Sequence, residues 1–295
     1  MDEVESKAFF NTPYVLGVDV SRWQEKVDWK TLKDNGVEYV FIKATQGNYL
    51  RDVRLEAHLD GAHKAGLIAG VYHWVDPLIG GESQAQYFLN ATRNLKYSFI
   101  AADLEQYWAD WSQWGRSKIT SVIPPNRIAD CLKLFLDTVD TRKDAPVIIY
   151  SRANFINYYA APALSWIGDY DLWLANYPFS TARVKISWAD LKSQYHLPPQ
   201  GPPLPRGCTK WTFWQFSGDK FVLPGVTTAL DVNVYNGSLA DLQKFAKVKV
   251  TPPAAPEPVD PPKPPEPPKP PEPKPTIEER LEKLEAEARK KGWTI

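Results

Sequence analysis

From Tyr14 onward the chain alternates between short, nearly continuous apolar runs and segments of helical pattern. The runs Tyr14–Val20, Glu38–Lys43, Leu67–Trp74, Tyr97–Asp103, Pro146–Tyr150, Asp171–Asn176 and Thr212–Phe216 predict strands. Trp29–Asn35, Val53–Ala65, Ser83–Asn90 and Pro125–Thr138 predict helices; the first two are followed by Gly36 and Gly66, where a C-terminal stop belongs. Strands apolar on both faces and separated by helices predict an α/β fold with a parallel sheet covered on both sides. Polar residues collect at the C-terminal ends of the strands: Asp19, Lys43, Tyr72, Asp103 and Glu105. Active sites form at that end in a closed barrel, which is the expected arrangement here, although a doubly wound sheet also places its site at strand ends.

The pattern stops abruptly on either side of this region. Residues 1–13 read as a polar lead-in and 14–247 as the folded domain. Residues 248–275 are dominated by proline, with Pro-Pro-Lys-Pro-Pro-Glu units, and predict an extended polyproline II spacer. At about 3.1 Å per residue the proline-rich run Thr251 to Pro275 spans roughly 75 Å. Residues 276–295 read as an amphipathic helix opened by a capping box, Thr276 with Glu279. Ile277, Leu281, Leu284 and Ala288 follow a coiled-coil spacing. Two readings stand for this helix: a homo-oligomer joined through that seam, or a solitary amphipathic tail, since an isolated helix this short is marginal in water.

Composition narrows the chemistry. Lys plus Arg and Asp plus Glu are 35 each, so no overall field favours nucleic acid. No apolar run is long enough for a membrane span, so no membrane insertion is expected. The four histidines show no HExxH-like grouping, and the expectation is neither metal nor cofactor. Cys131 and Cys208 fit no metal spacing; two unpaired thiols are expected, a single disulfide being the alternative. The opening Met1-Asp2-Glu3-Val4-Glu5 lacks the apolar core of a secretory signal, so either the protein leaves its cell by another route or the signal is absent from this sequence. Twelve Trp and 14 Tyr suggest a ligand surface of flat rings as well as a core.

The run Phe99-Ile100-Ala101-Ala102-Asp103-Leu104-Glu105 ends an apolar strand in two carboxylates two positions apart. Positions i and i+2 of a strand face the same way, roughly 7 Å apart. Burying such a pair is costly, and glycoside hydrolysis is the chemistry that most often requires it. Asp19 and Asp231 are further candidates, though taken alone Asp19 reads by default as a cap or turn residue and Asp231 to Asn233 reads also as a turn.

Several phrases then fall into order: Gly17-Val18-Asp19-Val20-Ser21-Arg22-Trp23-Gln24, Phe41-Ile42-Lys43-Ala44-Thr45-Gln46-Gly47, Gly70-Val71-Tyr72-His73-Trp74, Asp103-Leu104-Glu105, Leu172-Trp173-Leu174-Ala175-Asn176-Tyr177, Trp214-Gln215-Phe216-Ser217 and Leu230-Asp231-Val232-Asn233. The ordered set, covering Tyr14 to Lys247, resembles glycoside hydrolase family 25, the Chalaropsis-type lysozymes or N-acetylmuramidases. The resemblance implies an irregular, TIM-like β/α barrel. It implies an enzyme whose partner is the peptidoglycan glycan strand, hydrolysing the β-1,4 bond between N-acetylmuramic acid and N-acetylglucosamine. It further implies action on the bacterial cell wall, as an endolysin-like or extracellular protein.

The resemblance places Asp19, Asp103, Glu105 and Asp231 in the active site. Glu105 is then the general acid, its pKa raised by the anions Asp103, Asp19 and Asp231 and by the barrel walls. Asp103 orients and stabilises a cyclic cation formed by the substrate's own acetamido group, with net retention; a direct covalent role for Asp103 or Asp19 is the alternative. Asp231 positions substrate or tunes Glu105. Tyr72, Tyr150, Trp173 and Tyr177 are expected to line a sugar groove together with Lys43 and Gln215. Trp108, Trp111 and Trp114 either extend that groove or pack a loop. One position departs from the family pattern: Gln46 stands where the family usually has Glu, which removes a negative charge near the site and is expected to lower the pKa of Glu105 or alter substrate contacts. A non-catalytic wall-binding component and a hydrolase of another acetamido-sugar polymer such as chitin are the competing functions.

Overall fold

The computed structural model describes residues 14–105, 123–140, 145–178, 197–198 and 200–247, together with Ala286 and Lys290. The chain divides into two compact units, Met1–Val250 and Thr251–Ile295. In the second, Ala286 and Lys290 are helical and exposed. The lead-in 1–13, the proline spacer 248–275 and the seam residues Ile277, Leu281, Leu284 and Ala288 lie outside the described residues.

Among the described residues the first unit holds nine strands: β1 (Tyr14–Val20), β2 (Val37–Gln46), β3 (Leu50–Arg51), β4 (Ile68–Trp74), β5 (Ile100–Asp103), β6 (Val147–Ser151), β7 (Asp171–Ala175), β8 (Phe213–Phe221) and β9 (Leu230–Asn236). Their order is β1-β9-β8-β7-β6-β5-β4-β2-β3, and β1 also pairs with β2, so eight strands close into a barrel with β3 outside it. The sheet is not wholly parallel: β9 runs antiparallel to both of its neighbours, β1 and β8. The turn reading of Asp231 to Asn233 is thereby replaced by a barrel strand. Around the barrel lie α1 (Trp29–Asp34), α2 (Leu55–Lys64), α3 (Gly81–Thr92), α4 (Pro125–Asp140), α5 (Ala153–Tyr159) and α6 (Leu239–Phe245).

Alternation along each strand divides the core in two. Outward residues such as Val18, Ile42, Ala102, Leu174 and Val232 join the helices in one cluster. Inward residues such as Val15, Phe41, Phe99, Trp173, Phe213 and Tyr235 form a second cluster inside the barrel. Two inward positions are glycine because the neighbouring rings leave no room. A Cβ on Gly17 would meet the Tyr39 ring at 2.2 Å, and one on Gly70 the Phe99 ring at 1.9 Å. At the lower end α6 closes the barrel, Phe245 lying 5.8 Å from Phe213 and 6.1 Å from Tyr235 between ring centroids. A Ser238–Asp241 capping box starts that helix.

Outside the barrel, α3 and α4 approach closely at Gly81, where a Cβ would sit 2.0 Å from the Cys131 carbonyl oxygen and 2.9 Å from the Phe135 nitrogen. Both are backbone atoms, so a side chain there forces the helices apart. Gly81→Ala is expected to cost about 2–3 kcal/mol, read as a lower denaturant midpoint. Both cysteines are free, in line with the unpaired-thiol expectation. Cys131 is buried in α4, where burial pushes its thiol up to about 12.

Candidate active site

Each inward column of side chains runs from an apolar foot to a polar head at the same mouth. The columns read Val15-Gly17-Asp19 on β1, Tyr39-Phe41-Lys43 on β2, Phe99-Ala101-Asp103 on β5, Ile148-Tyr150 on β6 and Phe213-Gln215 on β8. On β9, which runs the other way, Tyr235-Asn233-Asp231 gives the same gradient because the acid comes first in sequence. The heads surround a cleft of about 530 Å³ lined by Asp19, Trp23, Lys43, Tyr72, Trp74, Asp103, Glu105, Tyr150, Trp173, Tyr177, Gln215 and Asp231, among others. All ten residues singled out from the sequence therefore meet in one place. A larger, shallower recess of about 670 Å³ lies on the outer surface around Trp29, Arg54, His58 and Gly225, away from these acids.

Gln215 organises one wall. Its Oε1 accepts from the Tyr150 hydroxyl at 2.7 Å and the Tyr177 hydroxyl at 2.8 Å. Its Nε2 donates to Asp19 Oδ2 at 2.9 Å and to Asp231 Oδ2 at 3.5 Å. Asp19 Oδ2 also accepts from Asn233 Nδ2 at 2.8 Å, and Asn233 Oδ1 accepts from Trp173 Nε1 at 2.8 Å. Asp19 is thus held by neutral amide donors, not used as a helix cap.

The acid pair sits across from this wall. Asp103 is 4% exposed, and its Oδ1 has no hydrogen-bond partner among the described residues. Glu105 follows β5 and is half-buried. Burial pushes the Asp103 carboxyl well above its ordinary value; Glu105, Asp19 and Asp231 push the same way and Lys43 opposes them. Burial also raises Glu105, with Asp19 adding and Arg152 and Lys43 opposing. Of the two causes expected from the sequence, desolvation therefore leads for Glu105, Asp19 adds to it, and the field of Asp231 falls on Asp103. Lys43 is pulled down to about 8, again chiefly by burial.

A buried acid with a raised pKa contributes stability that is fully present below its unfolded pKa and lost as pH rises through its folded pKa. Asp103→Asn removes that loss. The variant is expected to be more stable than the native chain by about 1 kcal/mol at pH 7 and equal to it near pH 3.5, as followed by thermal melts at both pH values.

The aromatic residues divide by exposure. Trp173 is 2% exposed and stacks on Phe41 at 3.9 Å and 10° between planes. Its ring face is taken by the core, so it forms cleft floor instead of an open platform. Tyr72 and Tyr150 are also buried. Tyr177 is half-buried, with the Arg152 guanidinium 4.7 Å and Lys220 Nζ 5.6 Å from its ring centroid. Trp23, at the mouth, is 71% exposed. Trp108, Trp111 and Trp114 lie outside the described residues. Gln46 does not line the cleft; it is 3% exposed and bonded to Lys43 and Tyr49, so any effect on substrate is indirect.

Arg152 and Asn233 were not singled out from sequence. Asn233 shares a strand face with Asp231 two positions away, and that was its available signal. Among the described residues no group of three or more His, Cys, Asp or Glu is arranged to hold a metal ion.

The family model for Glycosyl hydrolases family 25 matches residues 18–226. The chain is 30% identical to YegX of Escherichia coli (strain K12), covering 81% of this chain and 76% of that protein. It is 30% identical to Lysozyme M1 of Streptomyces globisporus, covering 80% of this chain and 72% of that protein. Among solved structures, the bacterial lysozyme from Streptomyces coelicolor matches with a TM-score of 0.63 and 26% identity, over 79% of this chain and 96% of that one.

Proposed function

Because the chain belongs to glycosyl hydrolase family 25, we propose that its cleft is the active site of a lysozyme. Its substrate is the peptidoglycan glycan strand, cut at the β-1,4 bond between N-acetylmuramic acid and N-acetylglucosamine. The single observation that carries the mechanism is the Asp103–Glu105 pair at the cleft, Asp103 deeply buried with an unpartnered oxygen and Glu105 pushed by burial toward the protonated form. The similarity to Lysozyme M1 and to the Streptomyces coelicolor lysozyme supports the same reading.

Glu105, half-exposed at the mouth, donates its proton to the glycosidic oxygen as the bond to the anomeric carbon breaks. Asp103 Oδ1 accepts the N–H of the 2-acetamido group and turns its carbonyl oxygen toward that carbon. A cyclic cation forms, balanced by the Asp103 carboxylate. Glu105, now ionised, takes a proton from water as the water opens the ring, and the β configuration is retained. Asp19 and Asp231, fixed by Gln215 and Asn233, add negative potential opposite the developing positive charge. Tyr177, Trp23 and the cleft-facing edges of Tyr72, Tyr150 and Trp173 offer apolar surface to the sugar faces.

Borohydride reduction of cell-wall digests tests the bond assignment. Muramitol at the new reducing ends is the expected product. Glucosaminitol sinks the muramidase reading, and equal release of oligosaccharides from chitin points to a broader acetamido-sugar hydrolase. The first-formed anomer, read by proton NMR, is expected to be β; an α product overturns retention.

Residues 276–295 are proposed to join copies of the chain through the Ile277–Leu281–Leu284–Ala288 seam. Sedimentation of the chain with and without them tests this, and a monomer in both cases removes the idea.

A further inference from the structure

The hydrogen bonds that lead away from Lys43 run in one direction. Lys43 precedes an irregularity in the β2–β4 register, between Lys43 and Thr45. Its Nζ lies 4.1 Å from the Trp74 ring centroid and 6.0 Å from that of Tyr72. Nζ donates to Gln46 Oε1 at 3.0 Å, and Gln46 Nε2 donates to the Tyr49 hydroxyl at 3.1 Å. That hydroxyl donates to Asp76 Oδ2 at 3.1 Å, while Asp76 Oδ1 accepts from the Leu78 nitrogen at 2.9 Å. The sequence ammonium, amide, phenol, carboxylate needs a neutral group at position 46 that accepts on one side and donates on the other. A carboxylate there would compete with Asp76 for one phenolic proton.

Among the described residues Lys43 forms no ion pair, so its charge is not consumed by a bonded carboxylate. It lines the same cleft as Asp103 and Glu105 and is 8% exposed, where screening by solvent is weak. The other charged groups whose fields reach it are Asp52, beyond β3, and Arg22, beyond β1. Arg152, which acts on Glu105, is exposed and placed over the Tyr177 ring, so its field is the more screened of the two.

We propose that Gln46, Tyr49 and Asp76 form a positioning chain that fixes the Lys43 ammonium against Trp74, where its charge faces the cleft of the two acids and favours the ionised form of Asp103. The proposal rests on the roles given to those acids above and makes Lys43 a positioning residue, not simply a substrate contact. The field of Lys43 opposes the upward push on Asp103, where Glu105, Asp19 and Asp231 supply the like charge, and it acts in the same direction on Glu105.

Tyr49→Phe removes one hydroxyl at a residue that is 50% exposed, and Gln46→Met cuts the chain while keeping bulk. Each is expected to lower kcat on solubilised peptidoglycan about 3- to 10-fold with KM changed less than about twofold. The acid limb of the pH profile is expected to move upward by about half a unit, because Asp103 ionises later without the fixed cation. Lys43→Met moves that limb further, by about one unit, and Lys43→Arg returns most of it. Thermal melts establish that each variant is folded. Unchanged kcat and profile in both Tyr49→Phe and Gln46→Met overturn the chain, as does a Lys43→Met enzyme altered in KM alone. Glu105→Gln, assayed alongside, separates the two readings. If it is inactive while the chain variants are unaffected, only the chain falls; if it is fully active, the acid assignment itself falls and takes the chain with it.

Discussion

Glu105→Gln is expected to lower kcat on purified cell walls by about 10³-fold while leaving KM within about threefold. Glutamine matches glutamate in size and hydrogen-bonding reach but has no proton to give to a departing alkoxide. The loss should shrink to about tenfold on an aryl glycoside whose phenol leaves without protonation, because the first step then makes little demand on an acid. Turbidity clearing and a chromogenic substrate check the two halves. Equal losses on both substrates would mean that residue 105 supports structure or binding, not proton transfer. The pH profile supplies a third check. Burial raises the Glu105 pKa, so the native enzyme should stay active well above the ordinary carboxylate range and decline as that proton is lost.

Trp173→Ala should be the most damaging single truncation for stability, costing about 3–5 kcal/mol. Against a total of about 5–15 kcal/mol for a typical domain, that leaves the barrel close to unfolding. The ring lies against Phe41, Tyr150 and Tyr72 and fills the barrel just beneath the cleft. Its Nε1 also holds Asn233, which in turn holds Asp19. Urea midpoints of Trp173→Ala and Trp173→Phe separate these two parts. Phenylalanine keeps most of the packing and is expected to cost about 1–2 kcal/mol, chiefly by leaving the Asn233 oxygen without its buried donor. Equal costs for the two variants would show that the hydrogen bond, and not the volume, dominates.

Much of this barrel was legible because its outward faces obey simple hydrophobic rules. Tyr14–Val20 is found as a strand with the expected bounds, and Phe99 to Ala102 is fully buried beneath Asp103. What escaped was the polar interior. β2 runs on through Thr45 and Gln46, both buried, because His73 and Lys43 satisfy them; hydropathy alone would end the strand sooner. β9 escaped for a related reason. Its inward face carries Asp231 and Asn233 and its outward face Val232 and Val234, so the alternation is present but its polar side faces the cleft instead of solvent. Asp103 and Glu105 stood out as a pair ending an apolar run, and the ordered motifs added Asp19 and Asp231 as active-site candidates. The amide bonds that fix them were not legible: Gln215, read as a substrate contact, lines the cleft and is also the junction of two tyrosines and two aspartates. Trp173 was expected to line the groove and does line the cleft, but a sequence does not reveal that Phe41 already covers one face of its ring.

The antiparallel strand has a consequence for biosynthesis. β9 fills the gap between β1 and β8, and the bond from Asn233 to Asp19 spans 214 positions of chain. Until the ribosome has released that strand, β1 and β8 are bare edges and Asp19 lacks one of its amide anchors. Competence to cut therefore waits for β9, and a chain abandoned before residue 230 would be both inert and prone to self-association.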